Sequence, residues 1–259
     1  MYPITRPKFS PYLLDNISSN PVSAYALRRL TVKYTGPLVR VRRSSDNAEE
    51  DIKFTNQGLL DTAQLTAFIG ANNGLVTTWY DQSPSRFPVT QATAAYQPTL
   101  VSSGTVNIIN GKPTVAFLKS STQYLDNTSA VSVLSSMAVA SNTTATYIGY
   151  AGLVTDTATI INGLLGDDLN NFLYVLTGNH HVNGVNTNIT PMSGTLFVAT
   201  ERNTVANRAW TGVNIGKQSS YNFRTWNGNI SEVINLSSFS LGARRQIELN
   251  QGKYYGVTV

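Results

Sequence analysis

Between residues 80 and 231 the chain carries six acidic side chains: Asp81, Asp126, Asp156, Asp167, Asp168 and Glu201. Carboxyls do acid–base chemistry when two of them share a site, and they hold a hard cation when several oxygens converge. Asp167 and Asp168 precede a strand-like run and read as a turn or as a Ca²⁺ loop. Glu201 ends another such run, within reach of Arg202 or Arg208. Asp81, in "YDQS", reads as a turn carboxylate accepting backbone N–H groups. His180 and His181 are the only histidines. Adjacent strand residues point to opposite faces, so the pair reads as a hairpin position and no metal site is expected. Tyr147, Tyr150, Tyr174, Tyr221 and Trp226 are core candidates first. Tyr174, His180, Tyr221 and Trp226 form the candidate ligand-binding set, because an exposed ring can stack on a ligand's apolar face.

The densest charge lies elsewhere. In "YTGPLVRVRRSSDNAEEDIKF", Arg40, Arg42 and Arg43 stand beside Asp46, Glu49, Glu50 and Asp51. "LVRVR" alternates with the period of a half-buried strand. Its guanidinium forks can pair with the following carboxylates and fix the loop. Arg40, Arg42, Arg43, Asp46, Asp51 and Asp81 are therefore read as scaffold.

Many short strands position these groups. Turn signals recur at Asn110-Gly111, Asn162-Gly163, Asn183-Gly184 and Asn227-Gly228. Strands are expected at 38–42, 75–83, 112–118, 135–141, 145–152, 170–177, 194–201 and 228–236, with 24–34 open between helix and strand. A short helix is expected over 60–70, N-capped by Asp61, and a second over 240–256, stopping at Gly252. Residues 1–23 hold four prolines and read as an extended arm, followed by one domain over 24–259. The expected core includes Leu38, Val76, Trp79, Val115, Phe117, Leu173, Val175, Phe197, Val198, Ile230 and Val233.

Of the 259 residues 41% are hydrophobic, enough for a substantial core, and only 13% are charged. The formal net charge is +5, yet no Lys or Arg occurs from Ser120 to Glu201. Nucleic-acid binders cluster cations on one face, so no nucleic acid is expected as a partner. The absence of cysteine excludes disulfides and thiolate sites. No signal-like apolar run opens the chain, and none is long enough to insert in a membrane.

"YTGPLVRVRRSSDNAEEDI", followed by "VTTWYDQSPSRFPVTQATAAYQPTLV", resembles the N-terminal half of the catalytic domain of the fungal α-L-arabinofuranosidase B family, glycoside hydrolase family 54, over residues 24–118. "TWNGNISEVINL" and "RRQIELNQGKYYG" are similar to the closing strand and helix of concanavalin A-like (laminin-G-like) jelly rolls. Both resemblances imply an all-β jelly-roll sandwich of two antiparallel sheets with a few short helices. The family pattern also implies a Glu nucleophile, an Asp acid/base and a vicinal cysteine pair. Here the segment nearest the nucleophile, 173–184, has no carboxylate. Lys217 or Gln218 stands at the acid/base place, the cysteines are missing, and Pro84 replaces the family's turn Gly. These departures turn the expectation toward a non-catalytic protein, and a short, cysteine-free, signal-less chain with this pair of motifs resembles bacteriophage virion components made in the host cytoplasm: a head decoration protein, a head fibre, or a tail fibre or receptor-binding component. Its partners would be other virion proteins through the arm, further copies of itself, and cell-surface glycans. No cofactor is expected beyond Ca²⁺ at Asp167 and Asp168. An arabinofuranosidase-like glycoside hydrolase is the alternative.

Overall fold

The computed structural model describes residues 10–143, 151–158, 163–167, 172–174, 179–187, 190–191, 195–202, 208–219 and 224–259. Its strands form antiparallel ladders folded into two layers around one apolar core. In the first layer Pro21–Ala26 pairs with Gly228–Leu236, which pairs with Ser135–Asn142. Phe197–Arg202 and Asn179–Val182 follow. The second layer runs Glu49–Ile52, Val39–Arg43, Gly74–Trp79, Val89–Thr90, Leu125–Asp126, Val213–Ile215, Ala151–Asp156 and Gly163–Asp167. Thr99–Ser102 pairs with Gly74–Trp79, and Val115–Phe117 pairs with Gly228–Leu236. The single pair Ala116–Thr99 joins them and stitches one layer to the other.

Strand alternation explains the layering. Val39, Val41, Val76, Trp79, Val89, Leu125, Val213 and Ile215 face Tyr25, Val233, Ala138 and Phe197 across the core. Leu38, Val115, Phe117 and Ile230 join that core. Val198 lies on the opposite face of its strand, against Val139 and Tyr255. The side chain of Leu173 and all of Val175 lie outside the described residues.

Two helices complete the domain. α1 (Thr62–Ile69) starts where the Asp61 carboxylate accepts the Gln64 amide, and Gly70 ends it at a φ of 59°. α2 (Leu241–Tyr255) covers the outer face of the first layer. Ala243, Ile247, Gln251 and Tyr255 recur every four residues on its buried side. α2 runs past the expected stop at Gly252. That glycine is interior, because a Cβ there would lie 2.6 Å from the Val257 carbonyl, where the C-terminal tail folds back. The left-handed cap is Gly256. Under α2, Arg28 grips Glu232 with two bonds of 2.7 and 3.1 Å, and the Gln251 amide and Tyr255 hydroxyl donate to the same carboxylate.

The ambiguous 24–34 segment begins as strand, and the expected boundary at residue 24 moves. Pro21–Ala26 is already in the sheet, and Leu13 is buried against Leu30, Met137 and Ile247, with Leu14 and Ile17 packed beside it. Residues 10–20 therefore cover this chain's own domain. Residues 1–9 lie outside the described residues.

Candidate functional site

The first layer is closed on its outer face by α2; the second layer carries a polar row on its outer face. Because Val39, Val41, Ile52, Trp79, Val89, Leu125 and Val213 point inward, the residues between them point outward. Register aligns them strand by strand. Asp51 faces Arg40, Arg40 faces Thr78, and Thr78 faces Thr90. Thr90 faces Asp126, Asp126 faces Asn214, and Asn214 faces Thr155. At about 4.8 Å per strand step the row is roughly 30 Å long.

Its two halves differ chemically. At one end Arg40 donates two 2.9 Å bonds to Asp51, and the Tyr80 hydroxyl donates a third at 2.8 Å. These bonds, the Arg40 fork first, hold Asp51 below the usual carboxylate range. That carboxylate is committed. In the other half Asp126 has no such fork among the described residues. Burial raises its pKa, and the field of the Lys217 ammonium opposes the rise. Lys217 is itself depressed by burial, with Asp126 acting against that. Its ammonium lies 4.2 Å from the centre of the Tyr124 ring, and Tyr124 lies 6.0 Å from Tyr96, centroid to centroid.

Lys217 reaches this face because the chain turns at Gly216, where φ is 86°, and then runs across the sheet. The Thr155 hydroxyl donates to the Lys217 carbonyl at 2.8 Å. A Cβ on Gly152 would sit 2.1 Å from that carbonyl carbon and oxygen, so only glycine admits the crossing.

A second polar row lies on the inner face of the first layer, at one end of the sandwich. Ser23 pairs with Asn235, Asn235 with Ser136, Ser136 with Glu201, and Glu201 with His180. Tyr25, Val233, Ala138, Ala199 and Val182 face the core from the same sides of these strands. Glu201 is 4% exposed. Burial pushes its carboxyl up to about 7, against the field of Arg208. Burial also lowers His180. Among the described residues, the Ser136 hydroxyl, His180 Nε2 and Asn235 Oδ1 have no hydrogen-bond partner.

The residues expected from sequence separate. Asp81 accepts from the Ala24, Ser83 and Phe87 amides and from the Ser83 hydroxyl, a buried turn anchor. Arg43 forks onto Asp46, whereas Arg42 bonds the amide oxygens of Gln97 and Asn47 rather than a carboxylate. Trp226 is fully buried, its indole N–H bonded to the Ser141 carbonyl and its ring edge-on to Phe197. It has no exposed face for a ligand, which corrects its place in the candidate set. His180 points into the core. Tyr221, Asp168 and the side chains of Tyr174 and Asp167 lie outside the described residues, so the Ca²⁺ loop does too. Among the described residues no group of three or more His, Asp or Glu side chains is placed to hold a metal. Tyr96 and Tyr124 were missed. The signal for Tyr124 was the alternation around Leu125, which sets Tyr124 and Asp126 on one face; Tyr96 sits in a 3₁₀ turn that no periodicity marks.

The chain matches the family model described as alpha-L-arabinofuranosidase B, catalytic, over residues 17–147. Among solved structures it is similar to a GH54 α-L-arabinofuranosidase soaked with a cyclic sulfate inhibitor, with a TM-score of 0.62 and 15% identity. It is also similar to an arabinofuranosidase complexed with arabinofuranosyl-α-1,2-xylobiose, with a TM-score of 0.63 and 15% identity. Each alignment covers 92% of this chain and 63% of the other, so this chain spans under two thirds of those proteins. At that identity the likeness is one of fold. Among curated proteins nothing matches.

Proposed function

The chain belongs to the alpha-L-arabinofuranosidase B catalytic family, and on that premise we propose that it is a glycoside hydrolase domain acting on α-L-arabinofuranosides. The observation that carries the reading is the family match over residues 17–147, which contains Asp126. The same match overturns the expectation of a non-catalytic bacteriophage virion component with head, fibre or tail roles.

The site is placed on the outer face of the second layer. Hydrolysis of a glycosidic bond needs a carboxylic acid that keeps its proton and a second carboxyl on the other side of the sugar. Burial raises Asp126, so it is assigned as the general acid that protonates the departing oxygen. Among the acids of residues 80–231, elimination directs the second role. Asp81 is consumed by its turn, Asp156 by the Ala158 and Thr211 amides and the Thr211 hydroxyl, and Glu201 lies on the inner face. Asp167, which ends a strand of the same layer, and Asp168, outside the described residues, are left for the nucleophile or base. Lys217, close enough to act on Asp126 electrostatically, holds that carboxyl's pKa down against burial.

The test is release of nitrophenol from 4-nitrophenyl α-L-arabinofuranoside. Asp126→Asn is expected to lower kcat/KM by at least about 100-fold. The loss should shrink on a dinitrophenyl glycoside, whose leaving group needs no proton. Asp167→Asn and Asp168→Asn, measured separately, identify the second carboxyl. Absence of turnover by the unaltered domain, or full activity of Asp126→Asn, would sink the reading.

A further inference from the structure

Between residues 10–21, the turn at 31–33 and the turn at 82–86 lies a cavity of about 660 Å³, within the size range of small-molecule sites. None of its lining residues belongs to either polar row. Leu14, Ile17, Pro21 and Pro84 give it apolar walls. Val32 also lines it and is 56% exposed, so apolar surface is left open there. Pro84 stands where the family's turn has Gly, which makes this wall the chain's own.

Two cations, Lys33 and Arg86, line the same space. Arg86 is held at a φ of 57°, a left-handed conformation uncommon for residues other than glycine. Strain of this kind gathers at ligand clamps. The turn that imposes it is braced. The buried Asp81 carboxylate accepts the Ser83 amide at 2.8 Å and the Phe87 amide at 3.0 Å, and the Ser83 hydroxyl accepts the Ser85 amide at 3.2 Å. The Arg86 guanidinium stacks 4.6 Å over the centre of the Tyr34 ring and donates to the Lys33 carbonyl at 3.3 Å. A cation so fixed loses little entropy on gripping an anion, and that one bond leaves most of its N–H donors for a ligand.

Among the described lining residues the one acid is Asp15, and it is already committed. Its carboxylate accepts the Ser10 hydroxyl at 2.6 Å, the Thr31 hydroxyl at 2.5 Å and the Val32 amide at 2.9 Å. Lys33 acts on it through its field. Two cations against one carboxylate leave the lining with a net single positive charge. Residues 1–9, next to Ser10 in the sequence, hold Arg6 and Lys8 and no acid, the wrong sign to fill it.

We propose that this cavity is a binding site for a small amphipathic monoanion, a carboxylate on an apolar body. Lys33 and Arg86 hold the carboxylate, and Leu14, Ile17, Pro21, Val32 and Pro84 cover the rest.

The experiment is calorimetry at pH 7 with three probes: 3-phenylpropanoate, its neutral amide 3-phenylpropanamide, and glucuronate, an anion without an apolar body. The unaltered chain should bind 3-phenylpropanoate with a Kd on the order of 0.1–1 mM. The amide should bind about tenfold more weakly, the worth of one charge-assisted fork, and glucuronate should give no signal. Arg86→Ala and Lys33→Ala, both at exposed positions, should each weaken 3-phenylpropanoate about tenfold. Lys33 sits on a different turn from Arg86, so its variant still decides if Arg86→Ala disturbs its own turn. Arg86→Lys should recover part of the loss, since it restores the charge without the fork. No binding of 3-phenylpropanoate, equal binding of acid and amide, equal binding of glucuronate, or full affinity in either alanine variant overturns the site. A gain in affinity of about tenfold on removal of residues 2–9 would make the arm the occupant and overturn it as well. Binding is read without turnover, so the outcome is independent of the hydrolase reading.

Discussion

Replacing Glu201 by Gln should make the protein more stable in alkali and leave it unchanged in acid. In the folded chain this carboxyl titrates near 7 instead of 4.5, because it is buried inside the sandwich. A carboxyl with a raised folded pKa prefers to stay protonated in the folded state. Its contribution to stability is therefore complete below about pH 4.5 and is lost as pH rises through 7. The shift of about 2.5 units corresponds to about 3 kcal/mol at 1.36 kcal/mol per unit. Glutamine keeps the shape and cannot ionise. Urea unfolding of both proteins between about pH 4.5 and 8.5 should show equal stability at the acid end, with Glu201→Gln ahead by up to about 3 kcal/mol at the alkaline end. His180, lowered by burial, gives the opposite slope in both proteins and drops out of the difference. A difference independent of pH, or one that favours the unaltered protein as pH rises, would refute this account of the inner row.

Arg28→Ala should cost about 3–5 kcal/mol, because it leaves the fully buried Glu232 carboxylate without its counter-ion; equilibrium unfolding reads this directly. Asp81→Asn should lose about 1–3 kcal/mol, since an amide NH₂ would confront donors that now meet a carboxylate oxygen. Gly152→Ala should lower both melting temperature and arabinofuranoside turnover, because its methyl group would push away the Lys217 backbone. Retention of wild-type turnover in Gly152→Ala would remove Lys217 from the site.

Alternation and capping were legible in the sequence. The valines of "LVRVR" and the apolar positions around Trp79 face inward as their period requires, and Asp61 and Ser240 cap the helices. The resemblance in residues 24–118 pointed to the right family, and the inference from missing carboxylates to a non-enzymatic role was the error. That inference assumed that a catalytic group must occupy the family's sequence position. On the proposed assignment another strand supplies the acid, since Asp126 lies within the electrostatic reach of Lys217. Burial was equally invisible. Trp226, a core candidate first, also entered the ligand set because a strand pattern does not say which neighbour covers it.

The pairing of Pro21–Ala26 with Gly228–Leu236 has a consequence for how the protein is made. Pro21–Ala26 leaves the ribosome well before the strand it pairs with. The layer backed by α2 cannot assemble until Gly228–Leu236 has emerged. In the interval the apolar face of Ala24 and Ala26 waits without its sheet, so synthesis exposes sticky surface until that strand arrives. The stretch that carries the family's sequence signature is consequently not a folding unit. Expressed alone, residues 17–147 would lack the strand that both Pro21–Ala26 and Ser135–Asn142 pair with.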